Sequence, residues 1–179
     1  MRADKSQEHR GSLGVGAISG DAGAAPKPPV QVLRPFSRSL PMALLRAREA
    51  VMRHFRPSLQ AAGLTEQQWR TLRALSGVDE IEATSLVVST FLLASSLSRI
   101  LRDMEERNFI QRRTDPKDGR AALISLTATG WAMLNEVGVQ SEVVYRAIEL
   151  RLGSARLNRL MEALADIESD LDDIGPAEG

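Results

Sequence analysis

The 179-residue chain contains no cysteine, which excludes disulfides, thiolate zinc sites and thiol redox sensing. Aromatic residues make up only 4% of a chain that is 43% apolar, so its core has to be built from aliphatic side chains, as packed helices allow. Apolar runs are short as well. The longest, around residues 86–94, falls far short of the roughly 20 residues a membrane span needs. The opening Met1-Arg2-Ala3-Asp4-Lys5 is not followed by the apolar core of a secretory signal. A cytoplasmic protein without membrane contact is the expectation. Charge of one sign is lacking too: 23 Lys and Arg balance 23 Asp and Glu, so an argument for nucleic-acid binding must rest on where the charges lie. Glycine-rich phosphate loops, Ser-His-Asp or Cys-His arrangements and metal-ligand clusters cannot be assembled either. Neither catalysis nor a cofactor or metal is expected, since one of the two histidines lies near the N-terminus.

Residues 1–38 are rich in Gly, Ala, Ser and Pro and include Pro26-Lys27-Pro28-Pro29. They read as a disordered, mildly basic arm, either a solvated tail or a DNA-contacting or regulatory one. Residues 39–179 read as one mainly helical unit. Leu44, Ala47, Val51, Phe55 and Leu59 recur at helical spacing over residues 40–62 and Gly63 ends the run, with Pro57 expected to kink or divide the helix near Phe55. Thr65 with Gln68 forms a capping-box pattern ahead of Trp69, Leu72 and Leu75. After the turn at Gly77-Val78-Asp79, Ile81 can make a one-residue bridge. Thr84 can then cap a short third helix of poor intrinsic propensity.

The next segment carries the chemistry. Over residues 95–108, Leu97, Ile100, Leu101 and Met104 share one face, while Ser95, Ser96, Ser98, Arg99, Arg102 and Asp103 fall elsewhere. Two strand-like runs at residues 110–113 and 121–126 flank Asp115-Pro116-Lys117-Asp118-Gly119-Arg120, which predicts a hairpin with a basic tip. Thr127 then caps a long helix bearing Trp131, Leu134, Val137, Val144 and Ile148. A last helix from Ser154 carries the stripe Leu157, Leu160, Met161, Leu164, Ile167, Leu171 and Ile174. A terminal helix striped in this way needs a partner surface.

Short helices, an amphipathic helix with exposed Ser and Arg, and a basic hairpin follow one another in the order of a winged helix-turn-helix. Such a helix fits the major groove, where Arg99 and Arg102 can read guanine or clamp the backbone and Ser95, Ser96 and Ser98 can bond bases or phosphates. Arg112, Arg113, Lys117 and Arg120 are placed to enter a minor groove from the hairpin. Asp118 either orders Arg120 by a charge-assisted bond or forms a surface ion pair of no consequence. The alternative for the whole is a helical protein-interaction module without sequence-specific DNA binding.

Asp115-Pro116-Lys117-Asp118-Gly119-Arg120, leading into Leu126-Thr127-Ala128-Thr129-Gly130 and preceded by Leu97-Ser98-Arg99-Ile100-Leu101-Arg102-Asp103-Met104-Glu105, resembles the MarR-type (multiple antibiotic resistance) transcriptional regulators. Residues 40–48 and 63–70 are similar to the branch that includes homoprotocatechuate operon repressors. The resemblance implies a repressor that acts as a triangular homodimer on double-stranded operator DNA. Its DNA-binding lobe would lie at about residues 64–127, and helices at about 40–62 and 128–174 would dimerise. It also implies release by a small aromatic acid, hydroxyphenylacetate-like or a hydroxylated pyridine carboxylate. Where the family carries charged residues on its third helix, this chain has Ser85-Leu86-Val87-Val88-Ser89. For the acid, Arg48 fits as the cation on the buried side of the first helix, with snorkelling to solvent the competing reading. His54 and Trp69 stand behind it as pocket candidates.

Overall fold

The computed structural model describes residues 35–116 and 122–172. A short 3-10 turn, Phe36–Arg38, leads into α1 (Leu40–Ala61); α2 (Glu66–Leu75), β1 (Ile81–Glu82), α3 (Ala83–Thr90) and α4 (Ala94–Glu106) follow, then β2 (Ile110–Thr114), β3 (Ala122–Leu126), α5 (Ala128–Leu152) and α6 (Ser154–Asp172). The strands form an antiparallel sheet in the order β1-β3-β2, with Ile81 opposite Ile124 and Arg112 opposite Ile124 on the other side. This is a mainly α fold with a small β-hairpin wing.

Local chemistry sets most element ends. Thr65 accepts from the Gln68 amide while the Gln68 side chain accepts from the Thr65 amide, completing the capping box expected at α2. Thr127 accepts from the Gly130 amide at the start of α5. Two ends close by the same device. After α1, Gly63 adopts φ 64° and the Leu64 amide reaches back to Leu59 O at 2.8 Å. After α4, Asn108 adopts φ 57° and the Phe109 amide reaches Met104 O at 2.8 Å. In both, the residue beyond the turn and its helical acceptor are buried together, the apolar contact that accompanies this type of helix end. At Gly130 a side chain is excluded outright, because a Cβ would sit 2.0 Å from Phe109 O.

Two expectations need correction. α1 runs through Pro57 undivided, because Phe55 and Leu59 on either side of it are buried and hold the segment in place; only the hydrogen bond to the Arg53 carbonyl is given up. Thr84 is not the cap of α3. Glu82 occupies that position without a side-chain cap bond, and Thr84 Oγ1 instead donates to the Glu82 carboxylate at 3.2 Å. The helix forms despite its composition because Leu86 and Thr90 are fully buried and tie it to the core. Tertiary packing here overrides propensity.

That core sits between α2, α3, α4 and the sheet. Leu72, Leu75, Leu86, Leu97, Leu101, Met104, Ile110 and Ile124 fill it, closed by Leu59 and Val137 from the long helices and Leu64 from the turn after α1. α6, in contrast, buries none of its residues. Among the described residues no single helix is long and apolar enough to cross a membrane.

Candidate nucleic-acid interface and ligand site

α3 and α4 cross at 109°, within the range of a helix-turn-helix pair. α4 is anchored from beneath by Leu97, Leu101 and Met104. At its far end, Gln68 Nε2 donates to the Asp103 carboxylate, Arg107 Nη1 donates to Gly63 O at 3.0 Å, and the Arg107 guanidinium stacks 4.5 Å from the Phe109 ring centre. The capping residue of α2 thus also orients the reading helix. Ser95, Ser98, Arg99 and Arg102 lie on the opposite, exposed face, with Ser96 half-buried at its margin. Among the described residues no carboxylate pairs with Arg99 or Arg102, so both cations are available. Ser98 donates its hydroxyl hydrogen to Ala94 O at 3.0 Å, which leaves its lone pairs to accept from a base amino group.

The wing strand differs. Arg112 Nε lies 3.0 Å from Glu105 Oε2, and Arg113 makes a two-pronged bond to the Glu80 carboxylate. The hydrogen bond from Arg113 holds the Glu80 carboxyl below the usual carboxylate range, and the same contact raises Arg113. A phosphate would have to compete for either guanidinium. Lys117, Asp118 and Arg120, the expected wing tip, lie outside the described residues.

The three ligand candidates do not converge in one cavity. His54 lines an open cleft of about 470 Å³ between α1 and α5, with Ser58, Val137, Gln140, Val144 and Glu136. Arg48 is not on a buried side as expected. It is exposed, its Nη2 donating to Glu66 Oε2 at 2.5 Å and its Nη1 to Glu49 Oε1 at 2.9 Å. Arg56 closes the ring, Nε to Glu66 Oε1 at 2.6 Å and Nη2 to Glu49 Oε2 at 2.5 Å. The reason is Glu66, which offers an acidic partner outside the core that apolar spacing alone does not reveal. Partial burial pushes the Glu66 carboxyl up, but hydrogen bonds from Arg56 and Arg48, aided by their charges, outweigh it and hold it below its ordinary 4.5. Trp69 is half-buried against the core, and the Arg73 guanidinium stands 6.0 Å from its ring centre. Arg73 was not singled out from the sequence, although its spacing of four from Trp69 puts both on one face of α2. Among the described residues no group of three potential ligands could hold a metal ion.

A sheet-flanked helix-turn-helix with a hairpin wing and an exposed Ser/Arg helix face defines a winged-helix DNA-binding protein. Comparison with known proteins agrees. A MarR family profile matches residues 62–121. The homoprotocatechuate degradative operon repressor of Escherichia coli is 38% identical over 128 residues, 72% of this chain and 86% of that protein. The HTH-type transcriptional regulator FarR of Neisseria gonorrhoeae is 33% identical over 129 residues, 72% of this chain and 88% of that one. In three dimensions the chain is similar to NadR in complex with 4-hydroxyphenylacetate, with a TM-score of 0.70 and 32% identity over 76% of this chain and all of that one. The chain belongs to the MarR family of transcriptional regulators. Its fold and its relatives are those of transcriptional regulators and not of enzymes.

Proposed function

We propose that the protein is a ligand-responsive repressor of an aromatic-compound catabolic operon, binding a pseudo-palindromic operator as a homodimer in the cytoplasm and released by a small aromatic acid. The observation that carries the DNA part is the exposed face of α4, where Arg99 and Arg102 stand clear of carboxylates beside Ser95 and Ser98. Two copies of that helix have to sit about 34–36 Å apart to enter successive major grooves. The apolar stripe of α6, with Leu160, Met161, Leu164 and Leu171 exposed, supports a second copy as the element that sets this spacing.

For the effector, the relatives supply the class: one represses homoprotocatechuate degradation and another is solved with 4-hydroxyphenylacetate. Glu66, Trp69 and Arg73 follow one another at helical spacing on α2, and Arg48 reaches the first of them. This row combines an aromatic face, a cation for a carboxylate and an acceptor for a ring hydroxyl. The His54 cleft is the weaker site for an acid, because no arginine or lysine among its lining residues offsets Glu136.

The test is operator binding to DNA upstream of the protein's own gene, against unrelated duplex, while hydroxyphenylacetates and hydroxylated pyridine carboxylates are titrated. One acid is expected to release the operator, and operator to weaken that acid's binding by the same factor. Arg73→Ala should weaken the acid at least tenfold and leave operator affinity intact. Equal acid affinity with and without operator would overturn the mechanism.

A further inference from the structure

The stretch from Ala83 to Ser98 contains no Asp, Glu, Lys or Arg, although it spans all of α3, the turn and the first residues of the reading helix. It instead exposes large apolar side chains, Val88 at 72%, Phe91 at 80% and Leu93 at 76%. Leu92 between them packs against the core, so the turn is anchored with its neighbours facing out. Leaving such groups in water is unfavourable without a partner.

Backbone conformation makes the choice of residues stranger. Among the described residues, four positions end a helix with positive φ: Gly63, Asn108 and Gly153, as residue preference dictates, and Phe91, at φ 52° and ψ 35°. A bulky aromatic is disfavoured there. Leu93 occupies the N-cap position of α4 and makes no side-chain cap bond, where Ser, Thr, Asp or Asn would satisfy an open amide. Both positions thus hold residues that weaken the local structure and expose apolar surface, the pattern expected where function selects the side chain.

Resting on the operator-binding reading above, we infer that Phe91 and Leu93 recognise thymine by packing against its C5-methyl group at the edge of the major groove that α4 enters. The surface is continuous with the DNA-reading face, since Leu93 directly precedes the N-terminus of α4, the end of a reading helix that approaches base edges. Thymine alone among the bases offers an apolar group in that groove. With no cation between Ala83 and Ser98, this part of the surface has no charge to offer phosphates, and its exposed apolar groups gain by apolar contact.

The experiment uses the full-length protein. Operators are selected from randomised duplexes, and each enriched thymine is then replaced by deoxyuridine, which lacks only the methyl. Wild type should enrich thymine at one or two fixed positions per half-site and lose about fourfold in affinity per methyl removed, on the order of tenfold for a symmetric pair. Leu93→Ser and Phe91→Asn suit the backbone better than the residues they replace. They should keep the dimer and at least the wild-type melting temperature, yet bind thymine and deoxyuridine duplexes alike. Equal wild-type binding to both duplexes, or variants that still discriminate, overturns the inference and leaves the operator reading standing. If wild type enriches no sequence, both fall. If either substitution dissociates the dimer without DNA, a second copy of the chain occupies the patch and the inference is overturned.

Discussion

The winged lobe and the long helices handle apolar surface in opposite ways. In the lobe, Leu72, Leu86 and Met104 are completely buried and Leu97 and Ile124 are 1% exposed; a small sheet and three short helices form this core, and the long helices add only Leu59 and Val137 to its buried residues. The long helices leave their work unfinished. α1 buries only Phe55 and Leu59, at the end that touches the lobe, while Leu40, Leu44, Leu45 and Val51 nearer its start stay exposed. α6 leaves Leu160, Met161, Leu164 and Leu171 of its stripe exposed, with Leu157 and Ile167 half-buried and Ile174 outside the described residues. The lobe is thus a finished reading head, and the helices are half of an assembly whose other half is a second chain in the reading proposed here. Effector control fits the junction: the ring of Arg48, Glu66, Arg56 and Glu49 ties α1 to the first residue of α2.

If this contrast holds, damage to the two regions should have different signatures. The largest effect is expected from Leu86→Ala, which empties a fully buried site in the lobe and should cost about 3 kcal/mol in urea unfolding at any protein concentration. A loss below about 1 kcal/mol would mean that the lobe core is looser than its burial implies. Next comes Leu164→Glu on α6, which in a symmetric interface acts twice. Sedimentation equilibrium should show dimer dissociation strengthened on the order of 100-fold, with operator binding lost in proportion and the lobe still folded. An unchanged dimer would break the comparison.

The smallest effect sharpens the junction between the regions. Glu66 titrates below its ordinary 4.5 in the folded chain, so its ion pairs stabilise fully above that value and the contribution fades as pH falls through the depressed folded value. Glu66→Gln should therefore lower stability by up to about 1 kcal/mol near neutral pH, since the arginine partners are well exposed. The two proteins should converge as the pH falls through the depressed folded value. A gap that persists in acid would assign the loss to packing and not to charge.

Much of this was legible in the sequence because it is local. The capping box at Thr65, the cap at Thr127, the closing Gly63 and the buried face of α4 each follow from a few neighbouring residues and from helical spacing. The same spacing separated Arg99 and Arg102 from the core, and their exposure on α4 agrees. Pro57 does not divide α1, because Phe55 and Leu59 on either side of it are buried. α3 reads weakly because its stability resides in the burial of Leu86, whose partners in the core are distant in the chain.

By itself, then, the sequence determined the element order, most helix ends and which residues are apolar or charged, since these depend on backbone preference and on periodicity. Tertiary structure alone decided which charges meet. Arg48 turned outward to Glu66, and Arg113 to Glu80. Electrostatic partners across 18 to 33 positions are set by how helices pack, and no local pattern encodes that distance.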